Sequence, residues 1–386
     1  MKPIVSAGRV VGLDIARALA LVGMMATHIL PSFDVDGLTL SQQVAGGRAS
    51  ALFAVLAGVS IALMSGRTSP QQGRTRWATA AGLAARALLI AVIGLFLAEA
   101  DSGIAVILTY YGVLFLLAVP FLGLRARALA VLAAVWVVAV PIASHLVRPH
   151  LPPPSYDSPS FAGLADPWQL LTELTLTGYY PAVPWLAYVL AGMAVGRTTL
   201  GPWRTTAGVG VVGMTLAVTA WAVSEALLTM PGARRALITT FTGPGAQETM
   251  DLTLARGLYG TTPTGSWWWL AVHAPHTATP FDLAHTIGTS LLVIAVAVAL
   301  GRLAPAVLAV AFGAGAMTLT LYSAHVLLRS EGWWDGDDMG TFVGQVLLVL
   351  LVGAAFKLTR SRGPLEAGVA KVQAAVRRAA GPRPRR

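Results

Sequence analysis

The chain alternates between long apolar runs and short polar connections. Ten of the runs approach the roughly 20 residues that a helix needs to cross a bilayer. They cover residues 10–31, 44–65, 78–98, 103–122, 127–147, 181–197, 206–229, 282–300, 304–328 and 340–357. We therefore predict an all-α fold, a polytopic membrane helix bundle of about ten transmembrane helices within residues 1–358, followed by a basic tail at 359–386.

The composition of the chain agrees with this pattern. Hydrophobic residues make up 55% of the 386 residues and charged residues only 11%, and the mean hydropathy is +0.68. The formal net charge of +10 raises nucleic-acid binding as an alternative, but no basic stripe with interleaved aromatic residues is present. The expected partner is therefore the lipid bilayer and no nucleic acid. The lack of cysteine excludes disulfides, thiolate metal sites and a cysteine acyl-enzyme.

The basic residues are unevenly distributed between the two sets of loops. An even number of spans places both termini on one side, and nineteen of the 27 Lys and Arg residues fall in the termini and loops of that side. The opposite loops hold five, and three lie inside spans. The positive-inside rule makes the first side cytoplasmic. We expect a multi-pass protein of the cell membrane, with both termini in the cytoplasm and two long outer loops at 148–180 and 230–281.

The first apolar run, GLDIARALALVGMMATH, contains three ionisable side chains. Helical spacing places Arg17, Met24 and His28 on one stripe, with Asp14 beside it and roughly 21 Å from His28 along the axis. Ionisable residues inside a membrane are costly and mark either function or ion pairs. Asp14 and Arg17 are three residues apart, so they either pair with each other or leave Arg17 to meet the phosphates of a ligand.

Two further polar residues inside spans are candidates for the same site. Arg48, in the second span, needs an anionic partner, which is either Asp14 or a ligand. His325 lies near the outer end of the ninth span, where it would orient His28 or an acceptor, although helix packing explains it nearly as well. A histidine at the end of a span also suits general base catalysis, because its pKa lies near neutrality.

Three more polar residues surround the outer start of the eighth span. His276, Asp282 and His285 are close in sequence and suit binding of an acceptor; with a further ligand they would suit a metal, which we do not expect. The chain contains no G-x-x-x-x-G-K-[ST], H-E-x-x-H or G-x-S-x-G motif. Nucleotide hydrolysis, zinc proteolysis and the serine-hydrolase elbow therefore have no support.

Three stretches resemble known families. The pattern L-D-x-x-R with a His fourteen residues after the Asp, at 13–28, resembles the first span of transmembrane acyltransferases. Residues 9–65 are similar to the N-terminal part of heparan-α-glucosaminide N-acetyltransferases in their bacterial domain form. Residues 181–358 resemble the YeiB-like bacterial membrane family loosely, and the R-G-P-L-E at 362–366 looks like the C-terminal signature of that family.

The resemblance implies that an acyl group, most often acetyl, is transferred from cytoplasmic acyl-CoA through the helix bundle. The acceptor would be a hydroxyl or amine on the outer side, carried by a sugar-containing molecule such as a glycan or glycolipid. The eukaryotic acetyltransferase has asparagine where His28 falls and its reactive histidine near the region matching 33–36, which holds none here. This departure favours a base over an acyl-histidine. The assigned roles are catalysis for His28, donor binding for Asp14, Arg17 and Arg48, and acceptor binding for His276, Asp282, His285 and His325.

Two other classes of function remain open. Intramembrane charges also suit a small-molecule transporter, but transporters commonly contain two similar halves with broken spans at matching positions, and no such repeat is visible. A membrane scaffold without catalysis is the third reading. The aligned ionisable residues of the first span argue against it.

Overall fold

The computed structural model describes Val5 and residues 8–381, and this part of the chain is almost entirely helical. Its strands are two residues each and form one antiparallel hairpin, β1 with β2, which the predicted all-α fold did not include. In chain order the elements are α1 (Val11–Ile29), β1 (Phe33–Asp34), β2 (Gly37–Leu38), α2 (Leu40–Ala45), α3 (Arg48–Met64), α4 (Gly73–Ala98), α5 (Leu108–Ala118), α6 (Ala126–Val147), α7 (Pro167–Thr172), α8 (Ala182–Gly196), α9 (Trp203–Leu228), α10 (Ala233–Ile238), α11 (Ala246–Arg256), α12 (Pro280–Leu300), α13 (Pro305–Ala311), α14 (Thr318–Leu328), α15 (Met339–Leu358) and α16 (Pro364–Ala380).

The membrane-spanning character predicted from the apolar runs is confirmed. Within the described residues, seven helices are long and apolar enough to cross a bilayer, and the shorter apolar helices Leu108–Gly123, Ala182–Gly196 and Thr318–Leu328 account for the other predicted runs. The protein is therefore a multi-pass membrane protein. The seven long helices are Val11–Ile29, Leu40–Met64, Gly73–Ala98, Ala126–His150, Trp203–Leu228, Pro280–Leu300 and Met339–Leu358.

The short helix α8 lies at the centre of the bundle, and nearly all of its residues are buried. It packs against α3 so closely that a Cβ at Gly192 would overlap the carbonyl oxygen of Val55. The pair α9 and α12 is packed in the same way, with a Cβ at Gly213 falling 2.6 Å from the carbonyl oxygen of Gly288. Small residues let helix backbones approach in a membrane, where dispersion forces replace the hydrophobic effect as the driving force.

The predicted span at 304–328 is wrong as a single helix. The chain forms α13, a short 3₁₀ turn at Gly313–Ala316, and then α14. The interruption lies at the sequence Gly313-Ala314-Gly315, since sharp breaks in helices occur at glycine. Gly315 packs so closely on α1 that a side chain there would overlap the carbonyl oxygen of Asp14. The break leaves the first turn of α14 within the helix bundle. The backbone N–H groups of this turn have no partner in the helix itself and need another hydrogen-bond acceptor.

The C-terminal segment supplies those partners. One oxygen of the Glu366 carboxylate accepts hydrogen bonds from the amides of Leu319 (2.7 Å) and Thr320 (3.2 Å), and the other accepts from the Thr320 hydroxyl (2.6 Å). The acidic residue of the R-G-P-L-E motif is thus a helix cap delivered from elsewhere in the chain. From there α16 packs along α4, so residues 364–380 form part of the bundle and are not a free tail; residues 382–386 lie outside the described part.

The two long loops, 148–180 and 230–281, fold over the same end of the bundle, the end at which α1 finishes. In the first loop Asp166 caps α7 by accepting from the amide of Gln169 at 3.1 Å, as the Asp-Pro pair predicts. The second loop has a small core of its own around Leu237, Met250 and Trp269. This end of the molecule is therefore a folded cap and not a set of mobile connections.

Candidate active site

A polar cavity of about 1030 Å³ lies between the end of α1 and the folded cap. His28 lines it from α1, and His276 lines it from the second loop. Carboxylate side chains enter it from the α4–α5 connection and from the first loop. The other titratable side chains in its lining are Glu99, Asp101, Asp157, Arg256, Tyr156, Tyr179, Tyr180, Tyr259 and Tyr322.

Behind His28 runs a chain of hydrogen bonds into the bundle. Nδ1 of His28 lies 3.2 Å from Nε2 of His325, and Nδ1 of His325 lies 2.9 Å from Oε1 of Gln345. The amide nitrogen of Gln345 donates to the carbonyl oxygen of Trp334 at 2.9 Å, which fixes the orientation of that amide. His325 and Gln345 are completely buried. The structure therefore brings His325 to His28, as the sequence predicts, and adds Gln345, a polar residue within the tenth span.

This chain of hydrogen bonds determines which ring nitrogens of His28 and His325 carry a proton. Because an amide oxygen only accepts, Nδ1 of His325 carries the proton and its Nε2 has a lone pair. Nδ1 of His28 must then be the donor between the two rings, which leaves Nε2 of neutral His28 with a free lone pair. His28 is thus held in the tautomer that a general base requires.

His276 lies across the same cavity in a buried aromatic setting. Its ring packs edge-on against Tyr179 and Tyr180, with ring centroids 5.6 and 5.8 Å apart. Burial lowers the pKa of His276 to about 4, and burial raises the pKa of Tyr179 to about 12, so both side chains are neutral near pH 7. The backbone of His276 has a φ of +56°, which is costly for a residue with a side chain.

A second, narrow cavity of about 110 Å³ adjoins the first at Met24, Ile107 and Tyr322. Arg17 lies at its far end, about 17 Å from His28 along the helix. The predicted stripe on α1 therefore faces these cavities: Arg17 lines the narrow one, His28 the wide one, and Met24 both. The two cavities therefore lie next to each other along α1, with Arg17 on the narrow one and His28 on the wide one.

Asp14 does not face these cavities as a free carboxylate. It is buried and pairs with Nη2 of Arg9 at 2.6 Å and with Nη1 of Arg17 at 3.0 Å. Arg17 also donates to the hydroxyl of Ser60 at 2.9 Å. Of the two alternatives for Asp14 and Arg17, the structure contains the ion pair. Arg17 nevertheless keeps part of its surface on the narrow cavity.

Arg86 of α4 was missed as a site residue. It lines the narrow cavity with Arg17, and its Nε is buried with no hydrogen-bond partner within the described part of the chain. Its guanidinium lies 6.0 Å from the ring centre of Phe115. A partly buried arginine in a spanning helix, with an Nε that has no partner within the described residues, is a candidate for ligand binding. The signal was present in the sequence, because Arg86 is a charge in the middle of the third span.

Arg48 does not line the narrow cavity that contains Arg17 and Arg86. It is the first residue of α3, at the same end of the bundle as His28, and it is separated from Ser60, the neighbour of Arg17, by about 18 Å of helix. Its guanidinium contacts Nε2 of His285 at 3.3 Å and donates to the carbonyl oxygen of Gln43 at 2.9 Å. Of the alternatives for Arg48, the structure does not contain the pair with Asp14, which is bound by Arg9 and Arg17 instead. A role of Arg48 in donor binding stays a prediction.

Asp282 and His285 support the site without lining it. Asp282 is buried and accepts from the amides of Thr277 (3.1 Å) and Ala278 (3.0 Å), which fixes the turn that carries His276. His285 donates through Nδ1 to the carbonyl oxygen of Ala217 and faces Arg48 with Nε2. Neither side chain belongs to the lining of the polar cavity. No group of three or more His, Asp or Glu side chains in the described residues is arranged to hold a metal.

Comparison with protein families identifies the family to which the chain belongs. The model of the catalytic domain of heparan-alpha-glucosaminide N-acetyltransferase matches residues 9–228, more than half of the sequence. The chain belongs to this family. It is a family of membrane acetyltransferases that use acetyl-CoA, and the match contains α1 to α9 with His28, Arg17 and Arg86. No curated protein matches the chain.

Proposed function

We propose that the protein transfers an acetyl group from acetyl-CoA to the amine of a hexosamine at the non-reducing end of a glycan. The observation that carries the proposal is the chain of hydrogen bonds from His28 through His325 to Gln345, which leaves a free imidazole nitrogen on a histidine in the wall of the wide cavity, next to the narrow one. The wide cavity holds the acceptor. The narrow one holds the pantetheine arm of the donor, whose phosphates lie towards Arg17 and Arg86.

The reaction is a direct attack on the thioester. Nε2 of His28 takes a proton from the acceptor nitrogen as that nitrogen attacks the acetyl carbonyl, and the carbon–sulfur bond then breaks. The imidazolium of His28 returns the proton to the departing sulfur, so a neutral acceptor amine gives N-acetyl product and free CoA with no net proton change. An acceptor that enters as an ammonium ion first releases one proton to solvent, which frees the nitrogen lone pair for attack. His325 accepts the Nδ1 hydrogen bond of His28 throughout and stabilises the charged ring.

The acceptor class follows from the charge of the wide cavity. Glu99, Asp101 and Asp157 give this cavity three carboxylates near the acceptor, against the single cation Arg256 in its lining. Carboxylates attract an ammonium group from solution, and His28 and His276 carry no opposing charge when neutral. A hydroxyl acceptor can donate hydrogen bonds to these carboxylates but carries no charge that they would attract. We therefore infer N-transfer and not O-transfer.

Acetyl-CoA turnover by the purified protein tests the proposal. Wild-type protein should release free CoA from acetyl-CoA when glucosamine is present and should form N-acetylglucosamine in equal amount. The absence of cysteine gives the thiol assay no background from the protein, and mass spectrometry of the sugar checks the product. No release of CoA with amine or hydroxyl sugars would overturn the proposed function, whereas O-acetyl product would overturn only the choice of the amine.

The orientation in the membrane is a separate proposal, with the cap and His28 on the outer side and both termini in the cytoplasm. Single cysteines at the exposed positions Ala165, in the cap, and Gln72, at the opposite end, test it. In intact cells an impermeant maleimide should label Ala165→Cys, and Gln72→Cys should react only after permeabilisation. The reverse pattern would place the acceptor site on the cytoplasmic side.

A further inference from the structure

A third cavity, of about 720 Å³, adjoins the wide cavity that we assign to the acceptor. It lies between the proline-rich segment 151–154 and α11, and the two cavities share Tyr156, Arg256 and residues 257–259. We propose that it is a second acceptor subsite, which binds the sugar unit next to the one that reacts. This inference rests on the proposed function and implies that the protein prefers an oligosaccharide over a single hexosamine.

The lining of this cavity has the chemistry of a sugar-binding surface. Its walls combine flat apolar faces with side-chain hydroxyls, which match the two faces and the rim of a pyranose ring. A lipid tail would leave those hydroxyls without partners in a dry environment, which is unfavourable. The apolar faces belong to Phe33, Pro152, Pro153, Pro154 and Phe241, and the hydroxyls belong to Thr177, Thr249, Thr253, Thr261, Thr262 and Thr264.

A row of tyrosines joins the subsite to the reacting end. Tyr156 and Tyr259 line both cavities and pack edge to face with ring centroids 5.7 Å apart, and Tyr259 packs on Tyr179 at 5.3 Å. The exposed fractions of Tyr156 and Tyr259, 64% and 43%, leave ring surface open for stacking. Tyr156 also has a φ of +64°, a strained conformation of the kind that collects at ligand-binding positions.

The charges of the two cavities differ in sign. The charged side chains that line the third cavity are both arginines, Arg148 and Arg256, and Arg148 already donates to the carbonyl oxygen of Thr262. A cationic extension of the acceptor, such as a polyamine or a basic peptide, would therefore be repelled there. This difference orients a bound glycan, with its amine end in the cavity that holds the carboxylates and His28 and its remaining units in the third cavity.

Binding measurements on wild-type protein and two tryptophan variants test the subsite. Thr249 lines the third cavity, so Thr249→Trp fills it. Gln247→Trp places the same ring at an exposed position of the same helix that lines none of the three cavities described above. Titration calorimetry should give a disaccharide with a non-reducing glucosamine a Kd about tenfold below that of glucosamine, the gain from one or two added hydrogen bonds. Thr249→Trp should abolish this gain and leave glucosamine binding unchanged, and Gln247→Trp should retain it.

The outcomes separate this inference from the proposed function. Equal affinity of wild-type protein for the disaccharide and for glucosamine would overturn the subsite, as would equal loss of affinity for both in Thr249→Trp. Tighter binding of an alkyl glucosaminide than of the disaccharide would assign the cavity to a lipid instead. The proposed function fails separately, if acetyl-CoA is not consumed with any of these acceptors.

Discussion

Replacement of His28 by alanine is expected to lower kcat by about 10² to 10⁴-fold, the usual contribution of a general base. His28 lines the wide cavity with a free Nε2, and the hydrogen bonds that run through His325 to the side-chain carbonyl oxygen of Gln345 fix its tautomer. Binding of acetyl-CoA should change little, because the narrow cavity is lined from Arg17 to Met24 and not by His28. Steady-state rates and a separate Kd for acetyl-CoA measure the two quantities.

Variants of neighbouring histidines make this prediction specific. His28→Gln keeps a hydrogen-bonding side chain but cannot take the proton, so it should be nearly as inactive as His28→Ala. His325→Ala should lower kcat in wild-type protein and have little further effect in His28→Ala, because the two rings act as a unit. His150→Ala, at an exposed histidine outside these cavities, is the control. Substantial activity in His28→Gln would show that His28 only orients the acceptor.

The sequence was sufficient to predict the membrane bundle because the spacing of apolar residues reports directly on helices of spanning length. It was also sufficient for the stripe of α1, since helical geometry alone puts Arg17, Met24 and His28 on one face. The broken span was not predicted, because hydropathy scores Gly313 to Gly315 as apolar and carries no record of their close packing on Asp14. The cap supplied by Glu366 depends on a contact between residues 46 apart in sequence.

The placement of Arg48 and Asp282 shows a second limit of prediction from the sequence. Both are charged residues near the ends of spans, and their sequence positions do not reveal which neighbouring groups form hydrogen bonds with them. Arg48 uses a histidine and a carbonyl oxygen, and Asp282 uses two backbone amides. Arg86 differs from them because it lies in the middle of α4, and its Nε has no hydrogen-bond partner within the described residues. This position inside the span is the reason for proposing Arg86 as a ligand-binding charge.

Replacement of Arg86 by alanine is the sharpest test of the donor site, and it should raise the Kd for acetyl-CoA by about 10 to 100-fold with kcat largely unchanged. A hydrogen bond to a charged group contributes about 1.5 to 3 kcal/mol, and about 1.4 kcal/mol corresponds to tenfold in affinity. Arg86 suits this test better than Arg17, because removing Arg17 also takes one partner from buried Asp14 and so disturbs the fold. Calorimetry with acetyl-CoA measures the change.

Two further variants decide between a ligand-binding and a structural role for Arg86. Arg86→Lys keeps the charge but loses the paired donors of the guanidinium, so its Kd should lie between those of wild-type protein and Arg86→Ala. Arg204→Ala removes an exposed arginine that lines neither cavity and should leave the Kd unchanged. If Arg86→Ala instead bound acetyl-CoA normally and unfolded at a lower temperature, its guanidinium would serve only to pack on Phe115, and the phosphates of the donor would have to be held by residues outside the narrow cavity.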